Sequence, residues 1–260
     1  MDLQLGGQVV LVTGGGRGIG AGIANVLAAE GAVPVIIGHH PAENVATVAA
    51  IEAAGHRAFA VEAELTDTEA CRQAVEQAAA LAGRVDGLVN NAGVNDRVGL
   101  ETGDTEGFVA SLRKNLVHYY DMVRFALPWL KQSRGAIVNI SSKVAETGQG
   151  GTSAYAAANG GRNALTREWA VDLRQYGIRV NAVIVAECWT PMYAQWLALQ
   201  PDPAAIRRRI EARIPFEQRM TTATEIANMV AFLLSPRSSH TTGQLIHVDG
   251  GYVHLDRALV

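Results

Sequence analysis

The first residues able to do chemistry stand near the start of the chain. Thr13-Gly14-Gly15-Gly16-Arg17-Gly18-Ile19-Gly20 follows an apolar run and opens a helical pattern. Glycines at such a turn let the backbone bend tightly and approach a pyrophosphate, and the helix N-terminus behind them favours its negative charge. The turn reads as a dinucleotide cradle made of Gly14, Gly16, Arg17, Gly18, Ile19 and Gly20, with the spacing Gly-x-x-x-Gly-x-Gly. Other candidates are weaker. Cys71 and Cys188 make neither a disulfide framework nor a metal-ligand spacing, so no metal site is expected. Both read as small buried apolar residues. Arg207-Arg208-Arg209 with Arg213 reads as a solvated helix face in a chain of formal charge −3.

Short apolar runs must hold that turn in place, and seven are visible: 9–13, 35–37, 58–61, 87–90, 136–140, 179–185 and 245–248. Val and Ile dominate them with little alternation, as parallel strands covered on both faces require. Ala- and Leu-rich helical stretches such as 20–30, 69–82 and 155–176 lie between. This alternation predicts a single α/β domain over 1–260, a Rossmann-type doubly wound parallel sheet of about seven strands with helices on both faces. With 48% hydrophobic and 18% charged residues the chain can bury a sizeable core, which excludes disorder. The balance of 22 basic against 25 acidic residues argues against nucleic acid as a partner. No secretory leader and no membrane-spanning run is visible, so a cytoplasmic protein with no membrane partner is expected. Residues 191–216, with Trp196, Pro201 and Pro203, interrupt the rhythm at the carboxyl edge of the sheet and predict a substrate lid.

The glycine spacing resembles that of the short-chain dehydrogenase/reductase family, and further motifs agree in order along nearly the whole chain. Asn90-Asn91-Ala92-Gly93 follows the fourth strand, Asn115 stands in a long helix, and Ser142 lies thirteen residues before Tyr155. Thr190-Pro191 follows the sixth strand, and Val248-Asp249-Gly250-Gly251 ends the last. The resemblance implies hydride exchange between a carbinol carbon and a nicotinamide. It makes Tyr155 the acid/base, gives Ser142 the substrate oxygen and adds Asn115 to the catalytic set. It further implies that Asn91, Ala92 and Gly93 line the adenosine side and that Thr190 meets the nicotinamide carboxamide. Glu64, with Leu65, stands for the adenine-side acid after the third strand.

Free tyrosine titrates near pH ~10. The family offsets this with a lysine four residues on, whose charge favours the phenolate and whose ammonium holds the nicotinamide ribose. Here that position is Asn159. Residues four apart share a helix face, so Asn159 is expected to point where the lysine would, able to bond ribose hydroxyls but carrying no charge. Lys143 and Arg162 are nearby cations, both expected to be ordinary solvated charges. Restoring the lysine, Asn159→Lys, is expected to speed turnover at least about tenfold near neutral pH.

NAD-preferring dinucleotide folds place an acid where Gly38 stands, at the end of the second strand. Its absence leaves room for a 2′-phosphate facing Arg17 and His39, so NADP is expected ahead of NAD. A narrower resemblance, to sugar-oxidising members similar to L-fucose dehydrogenases, is carried by five segments. These are Asn91-Ala92-Gly93-Val94-Asn95-Asp96, Ser141-Ser142-Lys143, Thr147-Gly148-Gln149-Gly150, Ala186-Glu187 and His254-Leu255-Asp256-Arg257-Ala258-Leu259. It implies oxidation of an aldose such as L-fucose at the anomeric carbon to the lactone. Asn95, Asp96, Lys143, Gln149 and Glu187, beside Ser142 and Tyr155, would suit such a small polyhydroxyl substrate. Asp96 and Gln149 are the pair most expected to cap turns instead. Tyr193 and Trp196 are candidates to pack on a sugar face. Two alternatives stay open: a sugar-acid or keto-deoxy-acid dehydrogenase, and a non-catalytic dinucleotide-binding protein that lost the lysine. The resemblance also implies a homotetramer or homodimer, pairing the helices that hold Asn115 and Tyr155, with the Leu259-Val260 tail packed on a neighbour or over its active site.

Overall fold

In β1 (Val9–Thr13) every residue is buried. Val9 and Leu11 enter one core and Val10 and Val12 the other, so a strand held between two helical layers shows no polar alternation. β4 (Gly87–Asn90) is buried throughout, and β2 (Val33–Gly38), β5 (Ala136–Ser142) and β6 (Arg179–Val185) are buried except at Val33, Ser142 and Arg179. The edge strands β3 (Phe59–Glu62) and β7 (Leu245–Val248) are less covered. All pairings are parallel, in the order β3-β2-β1-β4-β5-β6-β7. The computed structural model describes residues 1–256. The end of the C-terminal motif, from Arg257, and the Leu259-Val260 tail lie outside the described residues.

One layer holds α1 (Gly18–Ala29) and α10 (Ala223–Leu234), with Ile23, Leu27, Ile226 and Val230 against the sheet. On the same side α2 (Pro41–Ala53) sets Ile51 against Ile36 and Ala24. The other layer holds α3 (Thr68–Ala82), α5 (His118–Ser133) and α7 (Ser153–Leu173), whose Val75, Met122 and Trp169 share one core. A short α4 (Thr105–Leu112) leads into α5 through a five-residue π turn, Arg113–Val117. A four-residue α6 (Val144–Thr147) follows β5, and α8 (Pro191–Ala198) and α9 (Pro203–Glu211) occupy the stretch expected to depart from the rhythm.

The strands agree with the expected runs, with two informative differences. β5 continues to Ser142 because its pairing with β6 runs on to Ser142 and Val185. Helix α1 begins at Gly18, since the turn residues are helical although glycine gives no apolar signal. Cys71 and Cys188 are both buried, and desolvation pushes each thiol up to about 12. Among the described residues no helix is long and apolar enough to cross a membrane. The strand order reverses between β1 and β4, which opens a crevice at the carboxyl edge.

Candidate active site

The glycine turn lines that crevice. Gly14 and Gly18 have φ of +63° and +56°, a region that side chains rarely adopt. A Cβ on Gly20 would run into the Gly14 carbonyl, and one on Gly16 into the Asn44 amide. Arg17 occupies the N-cap of α1 and makes no capping hydrogen bond. Helical N–H groups without a side-chain cap, behind a backbone that tolerates no side chains, fit the pyrophosphate of a dinucleotide. Asn91 fixes the turn by donating its Nδ2 to the carbonyls of Thr13 (2.9 Å) and Gly14 (3.2 Å). Ala92 donates its N–H to the Thr13 hydroxyl at 3.1 Å. Thr190 faces Gly18, where an added Cβ would lie 3.6 Å away, and its hydroxyl caps α8 by accepting the Tyr193 N–H.

On the adenosine side, the Gly38 carbonyl accepts Asn44 Nδ2 at 2.9 Å. Arg17 pairs with Glu43 at 3.2 Å, and the exposed rings of His39 and His40 lie 4.0 Å apart. Glu64 accepts both the N–H and the hydroxyl of Thr66, and these bonds, the backbone one foremost, hold its carboxyl below its ordinary value. Leu65 is buried beneath it, and its carbonyl accepts the Cys71 thiol.

Ser142 ends β5 and Tyr155 lies in the first turn of α7, both half-buried. The Ser141 hydroxyl donates to the Asn159 carbonyl at 3.3 Å, tying the start of α7 to the strand edge. Asn115 sits fully buried in the π turn, where its Oδ1 accepts the Val94 N–H at 2.8 Å and its Nδ2 donates to the Ser111 carbonyl at 3.0 Å. Gly161 lets α7 approach that turn, since a Cβ there would lie 2.8 Å from Leu116.

Three expectations are corrected at this point. Asn159 does not open onto the cleft: with 0% exposure, its Nδ2 donates to the Tyr155 carbonyl (2.8 Å) and its Oδ1 accepts Arg162 Nη1 (3.0 Å). Arg162 is not solvated. Only 3% exposed, it donates Nε to the Asn115 carbonyl (2.7 Å) and Nη1 to the Ile140 carbonyl (3.2 Å), and lies 4.2 Å over the Tyr119 ring. Lys143 is not solvated either. Its ammonium pairs with Glu187 and rests 3.7 Å over the Tyr252 ring. Charges are normally left in water because desolvation is costly, and each exception depends on a partner brought from far along the chain.

The remaining substrate candidates divide. Glu187 also accepts the Tyr193 hydroxyl at 2.8 Å, and burial followed by that carboxylate pushes the Tyr193 phenol up. Trp196 stands edge-on to Tyr193 at 5.4 Å. Asp96 accepts the Ser111 hydroxyl (2.8 Å) with Lys114 at 3.8 Å, and so braces the π turn. Asn95 accepts the Arg97 N–H at 3.3 Å in a turn, and Gln149 is exposed. Tyr252 was not singled out by sequence. It follows Gly250 and Gly251, both at positive φ, which turn the chain back over Lys143. Behind it, His247 meets Glu146 at 3.0 Å with His254 edge-on, fastening this C-terminal turn to α6.

A parallel sheet that reverses at β1 and β4, a glycine cradle, and Ser142 and Tyr155 at the same edge define a dinucleotide-dependent oxidoreductase of the α/β class. Residues 14–253 match the family profile described as Enoyl-(Acyl carrier protein) reductase. L-fucose dehydrogenase of Bos taurus is 36% identical over 252 residues, which covers 96% of this chain and 91% of that protein. The 3-oxoacyl-(acyl-carrier-protein) reductase FabG of Thermotoga maritima is 35% identical, covering 96% of this chain and all (100%) of that one. Among solved structures, the Cj0485 dehydrogenase superposes with a TM-score of 0.95 at 43% identity, over 100% of this chain and 99% of the other. The chain belongs to the short-chain dehydrogenase/reductase family.

Proposed function

We propose that the protein oxidises an aldose such as L-fucose at the anomeric carbon to the lactone, with NADP ahead of NAD as cofactor. The observation that carries this reading is the wall beside Ser142. Lys143, Glu187, Tyr193 and Tyr252 are joined there into one polar, aromatic-faced cluster. A sugar hydroxyl both donates and accepts, so an ammonium–carboxylate pair with a phenol can take several at once, and the rings can pack on its C–H face. A site for long acyl chains would be apolar at that wall. The similarity to L-fucose dehydrogenases supports the same substrate class.

With the pyrophosphate of the dinucleotide held by the cradle, the nicotinamide would supply the hydride acceptor for the anomeric carbon. Tyr155 takes the hydroxyl proton as the C–H bond breaks, and Ser142 holds the same oxygen by a hydrogen bond. Asn115 fixes the shape of the π turn and, through the Val94 N–H, the segment leading from Gly93 to Asn95. Helices α8 and α9 act as the lid, hinged where Thr190 caps α8. NADP is favoured because no acid ends β2 and Arg17 stands at the cradle, although Glu43 competes for that arginine. A homodimer or homotetramer fits the apolar side chains left exposed along the long helices: Val117 at the end of the π turn, Tyr120 on α5 and Val171 on α7. Light scattering at micromolar concentration tests the assembly, and a monomer rejects it.

A panel of aldoses with each cofactor, followed by absorbance of the reduced nicotinamide and identification of the lactone, tests the activity. Oxidation of L-fucose or a close aldose is the expected result. Turnover of sugar acids alone would move the assignment to a sugar-acid dehydrogenase, and dinucleotide binding with no turnover would make the protein non-catalytic.

A further inference from the structure

Arg162 is a buried cation among neutral groups. Its hydrogen bonds go to the carbonyls of Asn115 and Ile140, to the Asn159 amide and, at 3.5 Å, to Asn115 Oδ1, and among the described residues it forms no ion pair. Desolvating a charge costs several kcal/mol, and a carboxylate is the partner that would neutralise it. Here the charge stays unneutralised in a place of low polarisability. Its field is felt nearby: burial first, and the guanidinium second, hold the His118 imidazole down to about 3.

The position of the charge is specific. Asn115 belongs to the π turn, Ile140 precedes Ser142 by two residues on β5, and Asn159 follows Tyr155 by one turn of α7. Arg162 follows Asn159 by three residues on the same helix face. Space has been left for the guanidinium as well. A Cβ on Gly93 would lie 2.8 Å from Arg162 Nη2 and 2.9 Å from Asn115 Oδ1, so the Asn-Ala-Gly turn at the cleft rim is open on its arginine side. Beneath, the Tyr119 ring supports the flat cation, and its hydroxyl donates to the Ile140 carbonyl that Arg162 also uses. The ionisable groups that interact with it are His118 and Tyr119 on α5; Glu64 acts in turn on His118 and Tyr155 on Tyr119, and Lys143 is paired with Glu187.

Resting on the reading above as a tyrosine-dependent dehydrogenase, we propose that Arg162 supplies the positive charge missing at position 159. It acts as a positioning residue, through the Asn159 amide and the Asn115 carbonyl, and favours the anionic form of the proton acceptor. Asparagine at 159 is then a neutral bridge between arginine and the Tyr155 backbone, in a place where a second cation would be repelled.

The test uses the whole protein, Arg162→Met, Arg162→Met combined with Asn159→Lys, and Tyr155→Phe as a reference. Two readouts are taken: the pH dependence of kcat on the sugar, and the tyrosinate absorbance titration, which needs neither sugar nor cofactor. In Arg162→Met, kcat falls about a hundredfold near neutral pH with the deficit narrowing toward alkaline pH, while KM changes little. The absorbance step that is absent from Tyr155→Phe moves to higher pH. Adding Asn159→Lys restores about tenfold or more of the activity. A folded Arg162→Met with the wild-type absorbance step and a deficit equal at every pH overturns the proposal. If Arg162→Met does not fold, the double variant decides: folded and active supports the proposal, folded and inactive at every pH overturns it. Failure of both to fold makes Arg162 a structural link and likewise overturns it. If the wild type oxidises no sugar, the substrate assignment fails, while the absorbance titration still tests Arg162.

Discussion

Putting a lysine at position 159 looks, from sequence, like repair of a damaged site; the structure reverses the expected sign. Asn159 is completely buried and its Oδ1 lies 3.0 Å from Arg162 Nη1. Asn159→Lys would remove that acceptor and bring an ammonium against a guanidinium. At an effective dielectric of about 20, two unit charges repel by about 4 kcal/mol at ~4 Å, and by about 2 kcal/mol if the flexible stem retreats to ~8 Å. For a chain of this size each kcal/mol moves the melting temperature by about 2–4 °C, so a fall of about 4–16 °C is expected. The assay is a double-mutant cycle with Arg162→Met, read by thermal melting and by kcat. Asn159→Lys should be strongly destabilising and slow in the native background; when Arg162 is methionine it should be close to neutral for stability and raise kcat about tenfold or more. The coupling between the two positions should be about 2–4 kcal/mol. Additive effects, or a faster enzyme from Asn159→Lys alone, would mean that no cation stands beside residue 159.

Other expectations follow from the same geometry. Arg17→Ala should weaken NADP binding more than NAD binding, and Glu43→Gln should strengthen NADP by freeing Arg17, both read by calorimetry; equal effects on the two cofactors would count against a 2′-phosphate site. Glu187→Gln should leave the Lys143 ammonium buried without its counter-charge, destabilising the fold by about 3 kcal/mol and raising KM for the sugar. Glu225, bound first by Arg219 and then by the Thr222 N–H, has its carboxyl held down to about 2 from an ordinary 4.5. Because the folded value is depressed, its contribution is present above pH 4.5 and lost as pH falls toward 2. Glu225→Gln should therefore lower the melting temperature at neutral pH by the equivalent of about 1 kcal/mol, with the gap closing in that acid window.

The sheet was legible because buried parallel strands need apolar residues at nearly every position, and all seven runs carry that signature. The cradle was legible for a similar reason: Gly14, Gly16, Gly18 and Gly20 answer local steric demands that few other residues can meet. What sequence could not show was the state of the charges. Lys143 and Glu187 are forty-four residues apart, and Arg162 reaches an Asn115 carbonyl forty-seven residues away, so spacing carries no trace of either contact. Periodicity also places residue 159 on the face of Tyr155 without telling whether the side chain there reaches the cleft or turns inward. Tyr252 was missed because its placement depends on the turn at Gly250 and Gly251, not on any pattern of its own.

The proposed activity is tyrosine-dependent oxidation of a sugar by a chain whose residue 159 is asparagine. Its most direct test is the formation of reduced nicotinamide from L-fucose and NADP by the wild-type protein and by Tyr155→Phe, with dinucleotide binding measured on both. Steady absorbance growth is expected in the wild type and almost none in Tyr155→Phe, at similar dinucleotide affinity. No growth in a wild-type protein that binds the dinucleotide, or equal growth in both proteins, would contradict it.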